Sequence, residues 1–337
     1  MKGIAESWGL ILAGGDGSRL REVTTTGDGQ TIPKQYCSLT GSSCLLQDAI
    51  KRARSVALAS QVAAVVAAQH RRWWSSAAFG CNETHIFVQP QNRGTANGIL
   101  FALLRLERLS PNATVTLLPA DHYYRDERAL TRALRAAVNV ARQTPEESYL
   151  LGADPDGPDP ELGYILPASR TGGVPTGIAG FKEKPSAEYA RELLSIGALW
   201  NLFILVGSIR AILALFEKDY APTVADMREA LGREASGDRE ALSNYYQYLA
   251  PLDFSRDILE VQATQLQTIR VPRCGWTDLG TPKRVEDVVR RMVVDADIGK
   301  PAADRSSRYF DLSARYQAAG WPRALWRGGA VTGDPLK

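Results

Sequence analysis

The chain has 337 residues, of which 45% are hydrophobic and 23% charged, a composition that excludes a disordered or fibrous protein and allows one large or two ordinary domains. Its 40 basic and 37 acidic residues are mixed along the sequence, which leaves a net charge of +3 and no basic stripe for phosphate neutralisation. We therefore expect no nucleic-acid partner.

The cysteine pattern and the apolar segments indicate a cytoplasmic protein. The cysteines lack the CxxC spacing of a zinc site, so we interpret them as reduced thiols: Cys37, Cys44, Cys81 and Cys274. The N-terminal residues contain no secretory apolar region. One uncharged segment, Leu193 to Ile209, is barely long enough to span a bilayer, but its glycines, serines and asparagine favour a buried helix-to-strand segment. No membrane partner is expected.

In the first half of the chain, short aliphatic runs alternate with longer amphipathic ones. The runs predict strands at residues 8–14, around Val62, at 85–90 and at 113–121, and helices at 45–57, 94–109 and 128–143. The alanines around Val62 would also suit a helix. Such alternation predicts an α/β fold of the Rossmann-like kind, with a mostly parallel sheet and helices on both faces.

The pattern changes after Leu150. Residues 161–170 and 176–185 read as two strands around a glycine-rich turn, which predicts a small antiparallel insertion. Helical patterns follow at 186–197, 209–218 and 222–235, then a strand-like region at 266–280 and a helix from Pro282. The last residues are richer in Gly, Pro and Arg. We expect Trp321, Leu325 and Trp326 to pack back on the body of the protein, although they could instead bind a partner or lie at a dimer contact.

A glycine loop, "AGGDGSR", follows the first predicted strand, where ligands of open α/β sheets bind. Its glycines let backbone N–H groups approach phosphate oxygens or base edges, although a tight turn would need the same residues. Two familiar phosphate loops are excluded, because Leu20 occupies the third glycine position of GxGxxG and no GxxxxGK[ST] occurs.

Two cations and two carboxylates accompany this loop. Arg19 ends it and Lys34 follows Pro33, so together they suggest a triphosphate. Asp121 and Asp278 each end a strand-like run and could together hold Mg²⁺, although each alone would suit a helix cap or turn.

Several motifs in a fixed order resemble those of the sugar-nucleotidyltransferase family, and most closely its mannose-1-phosphate guanylyltransferase subgroup. They are "LAGGDGSRL", "PKQYCSLTGSSCLLQDAIKRA", "QPQNRGTANGI", "LLPADH", "LGYI", "FKEKPS", "WN" and "WTDLGT", spread over residues 8 to 290. The resemblance implies a nucleotidyltransferase, GT-A-like catalytic domain at 1–290 and a C-terminal extension at 291–337. It also implies GTP and a sugar 1-phosphate as substrates, Mg²⁺ as cofactor and a homo-oligomer, expected to be a dimer.

The same resemblance assigns roles to matching positions. Arg19 and Lys34 would be the catalytic cations, and Asp121 and Asp278 the metal ligands. The nucleotide would contact Leu12, Ala13, Gly14, Gly15, Gly17, Gln89, Gly94 and Asp121. The sugar phosphate would contact Gly163, Glu183, Lys184 and Asn201.

The expected reaction needs no protein nucleophile or base, because an anionic sugar 1-phosphate can displace pyrophosphate from GTP once charge repulsion is overcome. His122 is accordingly expected to be structural. Leu202 and Phe203 replace the Ser-Gly that usually follows "WN" in the family. They leave open a different nucleotide or sugar 1-phosphate, and a non-catalytic sugar-nucleotide sensor remains a third reading.

Overall fold

The computed structural model describes residues 7–26, 29–38, 43–75, 85–169 and 175–297. These residues form two compact units. The larger lies within Met1–Gly15 and Ala49–Trp276, and the smaller within Asp16–Asp48 and Thr277–Lys337. The domain boundary expected at residue 290 stays a prediction, and helix α9, Pro282–Asp297, continues through it.

The larger unit is built on a nine-stranded sheet. Its strands are β1 Ser7–Ala13, β2 Val62–Ala67, β3 Ile86–Gln89, β4 Thr114–Pro119, β6 Ser148–Ala153, β7 Gly163–Pro167, β8 Thr176–Glu183, β9 Leu199–Ser208 and β10 Gln267–Val271. Short strands β5, Tyr123–Tyr124, and β11, Trp276–Thr277, lie outside this sheet. The strand order is β3-β2-β1-β4-β9-β6-β10-β8-β7.

The α/β class predicted from the sequence is confirmed, and the sheet is mixed. Strands β3, β2, β1 and β4 are parallel, as the strand–helix alternation predicts. Strand β9 then runs antiparallel between β4 and β6, and β7 and β8 form the expected antiparallel insertion. A single apolar run fixes neither the direction nor the neighbours of a strand, which is why the sequence did not place β9 in the sheet centre.

The main helices are α2 Leu45–Arg54, α4 Thr95–Leu109, α5 Glu127–Gln143, α6 Ala187–Ser195, α7 Ile209–Ala235 and α8 Ala241–Tyr248, with one-turn helices α1 Arg21–Thr24 and α3 Arg71–Trp74. They cover both faces of the sheet. Leu10 of β1 joins a core cluster with Phe101 of α4. A side chain at the neighbouring Gly9 would instead meet Ala53 of α2, 2.7 Å away. Adjacent strand residues point to opposite faces, so the two helices pack on opposite sides.

The two helical patterns expected at 209–218 and 222–235 form one helix, α7. It is bent where Tyr220 leaves helical geometry and Pro222 removes a backbone donor. After α8, a π-helix spans Phe254–Glu260. Sequence periodicity indicated neither α8 nor this π-helix.

The segment tested for membrane spanning contains the end of α6 and strand β9, which confirms the helix-to-strand interpretation. Among the helices of the described residues, none is long and apolar enough to cross a membrane. Cys37, Cys44 and Cys274 are free thiols. Cys81, Trp321, Leu325 and Trp326 lie outside the described residues.

Candidate functional site

Glycines follow strand β1, so the backbone there carries no side chains, and it lies beside the buried side-chain amide of Gln89. Gly14 follows β1, and a Cβ placed on it would lie 2.3 Å from Gln89 Nε2. A Cβ on Gly98 of α4 would lie 3.3 Å from Gln89 Oε1, so the Gln89 amide fits between two glycines. Gly15 is exposed, with open space in place of a side chain. The structure therefore brings Gly14, Gly15 and Gln89 together at this strand end, whereas Gly17 belongs to the smaller unit. Their contact with a nucleotide stays a prediction.

The Gln89 side chain has an unused hydrogen-bonding atom. Gln89 is buried at the end of β3, and its Oε1 has no partner among the described residues. A buried carbonyl oxygen without a donor is costly in a folded protein. It can accept a hydrogen bond from a ligand that enters beside Gly14.

Asp121 lies at the same edge of the sheet. In the β1–β4 register Leu12 is opposite Pro119, so Asp121 is level with the loop that follows β1. Asp121 Oδ1 is 3.9 Å from His122 Nε2, and Trp276 Nε1 donates a 3.1 Å hydrogen bond to His122 Nδ1. His122 is thus fixed by a neighbouring ring, in agreement with a structural role.

Three residues predicted to contact the sugar phosphate form one cluster, which we call the sugar cluster: Gly163, Glu183 and Asn201. Gly163 is the register partner of Glu183 across β7 and β8. A Cβ on Gly163 would lie 2.6 Å from Glu183 Oε2 and 3.5 Å from Asn201 Cβ. Only glycine leaves room for the Glu183 carboxyl group at this position, so the backbone and two side chains converge on one point.

The sugar cluster lies at the same sheet edge as Asp121. Strands β4 and β9 are antiparallel, with Leu117 opposite Leu205. Strand β6 also runs antiparallel to β9, and its Gly152, next to the carboxyl-terminal residue of β6, is the register partner of Asn201. The nucleotide-side residues of β1 and β3 and the sugar cluster are therefore on one edge, at the carboxyl ends of the parallel strands, where ligands of such sheets bind.

Glu183 is an unusual carboxyl group. Burial raises its pKa to about 7, and the neighbouring Lys184 charge and a hydrogen bond with Ser255 oppose the rise only partly. Its backbone N–H donates to Glu260 Oε2, 2.9 Å away, while Lys182 Nζ binds Glu260 Oε1 at 2.6 Å. Glu183 is accordingly divided between its neutral and ionised forms near neutral pH, and can accept or donate a hydrogen bond.

Two residues near this cluster have left-handed backbone conformations. Lys184 has φ 46° and Phe203 has φ 56°, although neither is glycine. The Phe203 N–H donates a 3.0 Å hydrogen bond to Asn201 Oδ1, and its ring packs edge to face on Phe254 with 6.1 Å between centroids. Strained conformations of this kind concentrate at functional sites. The bond also fixes the orientation of the Asn201 amide.

Gly94 has a packing role in the structure. It has φ 88°, and a Cβ there would lie 2.1 Å from the backbone oxygen of Leu252. The segment around it docks on residues 250–254, with Ala96 N–H donating to Leu252 O at 3.0 Å and Phe254 N–H donating to Thr95 Oγ1 at 2.9 Å. The predicted contact of Gly94 with a base stays a prediction.

In the smaller unit, three predicted residues lie together. Gly17 has φ 61°, and a Cβ there would be 3.1 Å from the backbone N of Lys34. Lys34 is buried, and its Nζ donates a 2.6 Å hydrogen bond to the backbone O of Asp278. The Asp278 carboxylate accepts hydrogen bonds from Arg284 Nη1 and Gly280 N. Arg19 is exposed on the 3-10 turn Ser18–Leu20.

The carboxylates suit a hard cation by their chemistry. Mg²⁺ binds in proteins through one or two carboxylates completed by water and substrate phosphates. Across the described ranges no three His, Cys, Asp or Glu side chains gather as a closed metal site, which this mode of binding does not require. Asp121, with 35% of its side chain exposed, retains access to such an ion.

Sequence reasoning missed several residues around these groups. Ser255 and Glu260 belong to the π-helix, and Arg284 pairs with Asp278 from helix α9. Sequence reasoning also missed Gly98, which packs against Gln89. A glycine inside an apolar helical pattern often marks such a close packing contact, so this residue could have been found from the sequence.

Comparison with known proteins places this arrangement in a family. The family described as "Nucleotidyl transferase" matches residues 8–293. The chain is 29% identical over 287 residues to the xanthan biosynthesis protein XanB of Xanthomonas campestris pv. campestris (strain B100), covering 83% of this chain and 58% of that protein. It is 26% identical over 281 residues to a mannose-1-phosphate guanylyltransferase of Sinorhizobium fredii, covering 80% and 52%. The chain thus spans little more than half the length of these curated relatives.

A solved structure from Thermus thermophilus, named as a mannose-1-phosphate geranyltransferase, superposes with a TM-score of 0.69 at 26% identity, covering 84% of this chain and 79% of that one. A UDP-glucose pyrophosphorylase complexed with UDP-glucose shares the fold, with a TM-score of 0.55 at 15% identity and coverage of 86% and 99%. The resemblance and the enzyme class expected from the sequence motifs are thereby confirmed: the chain belongs to the nucleotidyl transferase family.

Proposed function

We propose that this protein transfers a guanylyl group from GTP to a sugar 1-phosphate, with α-D-mannose 1-phosphate as the preferred acceptor. The observation that carries the proposal is the shared sheet edge, which holds the backbone at Gly14, the buried Gln89 amide and the sugar cluster. The Sinorhizobium relative named as a mannose-1-phosphate guanylyltransferase supports this choice of nucleotide and sugar.

Gln89 supports a guanine nucleotide. Its buried Oε1 lacks a donor among the described residues. Guanine carries an amino group on C2 that can donate a hydrogen bond, whereas adenine has only a hydrogen atom at C2. Pairing of Gln89 Oε1 with that amino group would relieve the cost of the unpaired oxygen. We expect Gln89→Leu to lower the preference for GTP over ATP by about tenfold, the effect of about 1.4 kcal/mol.

In the proposed reaction, an anionic oxygen of the sugar 1-phosphate attacks the α-phosphorus of GTP. A new P–O bond forms, the bond between the α-phosphorus and the bridging β-oxygen breaks, and pyrophosphate leaves with that electron pair. The attacking oxygen is already ionised, so no proton must be removed. The obstacle is repulsion between two anions, which positioning and charge neutralisation reduce.

The cations of the chain would perform that neutralisation. Arg19 and Lys34 would bind the triphosphate, and Lys184 the sugar phosphate. Asp121 and Asp278 would hold Mg²⁺, which when bound would neutralise phosphate oxygens. Glu183 and Asn201 would hydrogen-bond the sugar hydroxyls, with the Gly163 backbone beside them.

The direct test is pyrophosphate release from a panel of nucleoside triphosphates combined with sugar 1-phosphates in the presence of Mg²⁺. We expect GTP with mannose 1-phosphate to react fastest. We also expect Arg19→Ala to lower turnover by about 10² to 10³, since removal of one preorganised electrostatic donor costs about 3 kcal/mol. Arg132→Ala, an exposed arginine of α5, is the matched control. Tight binding of GDP-sugars without turnover of any pair would instead indicate a sensor.

A different sugar 1-phosphate is the second candidate, and Phe203 favours it. Its ring packs on Phe254, and its left-handed φ of 56° is more typical of the glycine usual at this position in the family. A bulky side chain here can reshape the sugar side of the site. The same panel decides, because this candidate predicts faster turnover with an acceptor other than mannose 1-phosphate. Phe203→Gly would then shift the preference towards mannose 1-phosphate.

A further inference from the structure

A groove with a basic lining lies between the end of helix α2 and one face of helix α5. It is open to solvent and has a volume of about 480 Å³. We call it the basic groove, and the residues of its lining used below are Arg54, Ser55, Leu58, Arg135, Asn139 and Arg142. Arg135, Asn139 and Arg142 are spaced by four and three residues on α5, so their side chains project from one face of the helix.

The charge of the basic groove is not balanced by its own lining. Three of the lining residues are arginines, and none is an aspartate or glutamate. The nearby Arg52 shows the contrasting case, because it pairs with both carboxylate oxygens of Glu127 at 2.7 to 3.1 Å. Arg54 has no such partner in the part of the chain that the structure describes. Several positive charges around one concave surface favour the binding of an anion.

Two of the three guanidinium groups are held in place while keeping donors for a ligand. Arg142 Nη2 donates a 2.7 Å hydrogen bond to Ser7 Oγ, and Arg135 Nε donates a 3.1 Å bond to the backbone O of Ser55. Arg142 Nε is enclosed and has no acceptor among the described residues. A fixed guanidinium with unused N–H groups loses less conformational entropy on binding than a free one.

The basic groove is separate from the substrate edge of the sheet. Arg142 contacts Ser7, the first residue of β1, whereas Gly14 follows the last residue of that strand. Seven steps along a strand at about 3.3 Å each put the two ends about 23 Å apart. An anion in the groove would therefore not occupy the position of either substrate.

The lining indicates the chemistry of the ligand. The parallel N–H donors of an arginine guanidinium group match the spacing of phosphate oxygens. Half-exposed Leu58, together with Val56 and Val138, provides an apolar wall beside the arginines. The enclosed volume falls in the range of pockets that hold small organic ligands. We infer that the basic groove is a second binding site, which takes a phosphate-bearing small molecule.

Hydrogen–deuterium exchange of the full chain tests this directly, with inorganic phosphate, inorganic pyrophosphate or GTP as the probe and no divalent cation present. We expect at least one probe to slow exchange in residues 55–61, the connection between α2 and β2. Slowing by inorganic phosphate or pyrophosphate identifies a small anion as sufficient. Slowing by GTP alone identifies a nucleotide.

The double variant Arg54→Ala/Arg135→Ala should abolish this slowing and weaken binding of the probe at the groove at least about tenfold, the loss expected for two charge-assisted contacts. If the double variant is unstable, Arg54→Ala alone replaces it in the exchange experiment, because this substitution breaks no contact seen among the described residues. Arg132→Ala removes one charge from the same helix outside the groove and should behave as the unmodified protein.

Three results would overturn the inference: no slowing with any probe, slowing that persists in the groove variants, or an equal loss in Arg132→Ala, which would indicate diffuse charge attraction. Turnover does not enter the measurement. Failure of the proposed transferase reaction and failure of the second site are therefore distinguishable.

Discussion

Replacement of Glu183 by glutamine tests the electrostatics of the sugar cluster. Burial raises the pKa of the Glu183 carboxyl group from 4.5 to about 7. The folded protein therefore holds this proton more tightly than the unfolded chain. The contribution of Glu183 to stability is fully present below pH 4.5, falls as the pH rises, and has reached its minimum once the pH is above about 7.

The magnitude follows from the two pKa values. Their difference of about 2.5 corresponds to about 3.4 kcal/mol, at about 1.36 kcal/mol for each pKa unit. Between pH 5 and pH 8, titration of this one group should lower the free energy of unfolding by about 2.5 kcal/mol. Glu183→Gln keeps the size of the side chain and cannot ionise, so it lacks this component.

The assay is urea unfolding of both proteins at several pH values from 5 to 8, monitored by circular dichroism. The stability of Glu183→Gln relative to the unmodified protein should increase by about 2.5 kcal/mol across this range. Glu229→Gln, at an exposed position of α7, is the matched control and should give a constant difference. A difference for Glu183→Gln that stays constant within about 0.5 kcal/mol would refute the reasoning, because surface substitutions alone give changes of that size.

Two further substitutions test the packing around the site. Gly94→Ala should destabilise the protein by about 2–4 kcal/mol in urea unfolding, since its Cβ would meet the Leu252 backbone at 2.1 Å in a left-handed conformation. Gly157→Ala, where nothing lies within 4 Å, should change stability by less than about 0.5 kcal/mol, and equal effects of the two would contradict the packing argument. Trp276→Phe removes the donor to His122 Nδ1 and should cost about 1 kcal/mol; an unchanged midpoint of thermal unfolding would show that this bond contributes nothing.

The parallel half of the sheet and the glycine loop could be predicted from the sequence because their signals are local. Strands β1 and β4 are short, mostly apolar runs, and the loop after β1 is marked by its glycines. The position of β9 could not be predicted in the same way. Its register partners are on β4 and β6, far away in the chain, and no periodicity within one run identifies a distant partner.

In the candidate site, too, local motifs could be predicted from the sequence and long-range contacts could not. Motifs indicated Gly163, Glu183 and Asn201, and the structure brings all three together. The high pKa of Glu183 could not be read from "FKEKPS", because adjacent lysines suggest a solvated carboxylate. It results from burial beside the π-helix that supplies Ser255, an element without a recognisable sequence period.

The central place of β9 has a consequence for biosynthesis. Strand β4 ends at Pro119, and β9, the strand that pairs with its free side, begins only at Leu199. At translation rates of about 5–20 residues per second, the ribosome needs several seconds to make the intervening chain. Throughout that delay the nascent sheet exposes an apolar strand with unpaired N–H and C=O groups, the kind of surface on which neighbouring chains aggregate. Production of the protein should therefore benefit from slower synthesis at low temperature or from chaperones that shield this edge until the strand arrives.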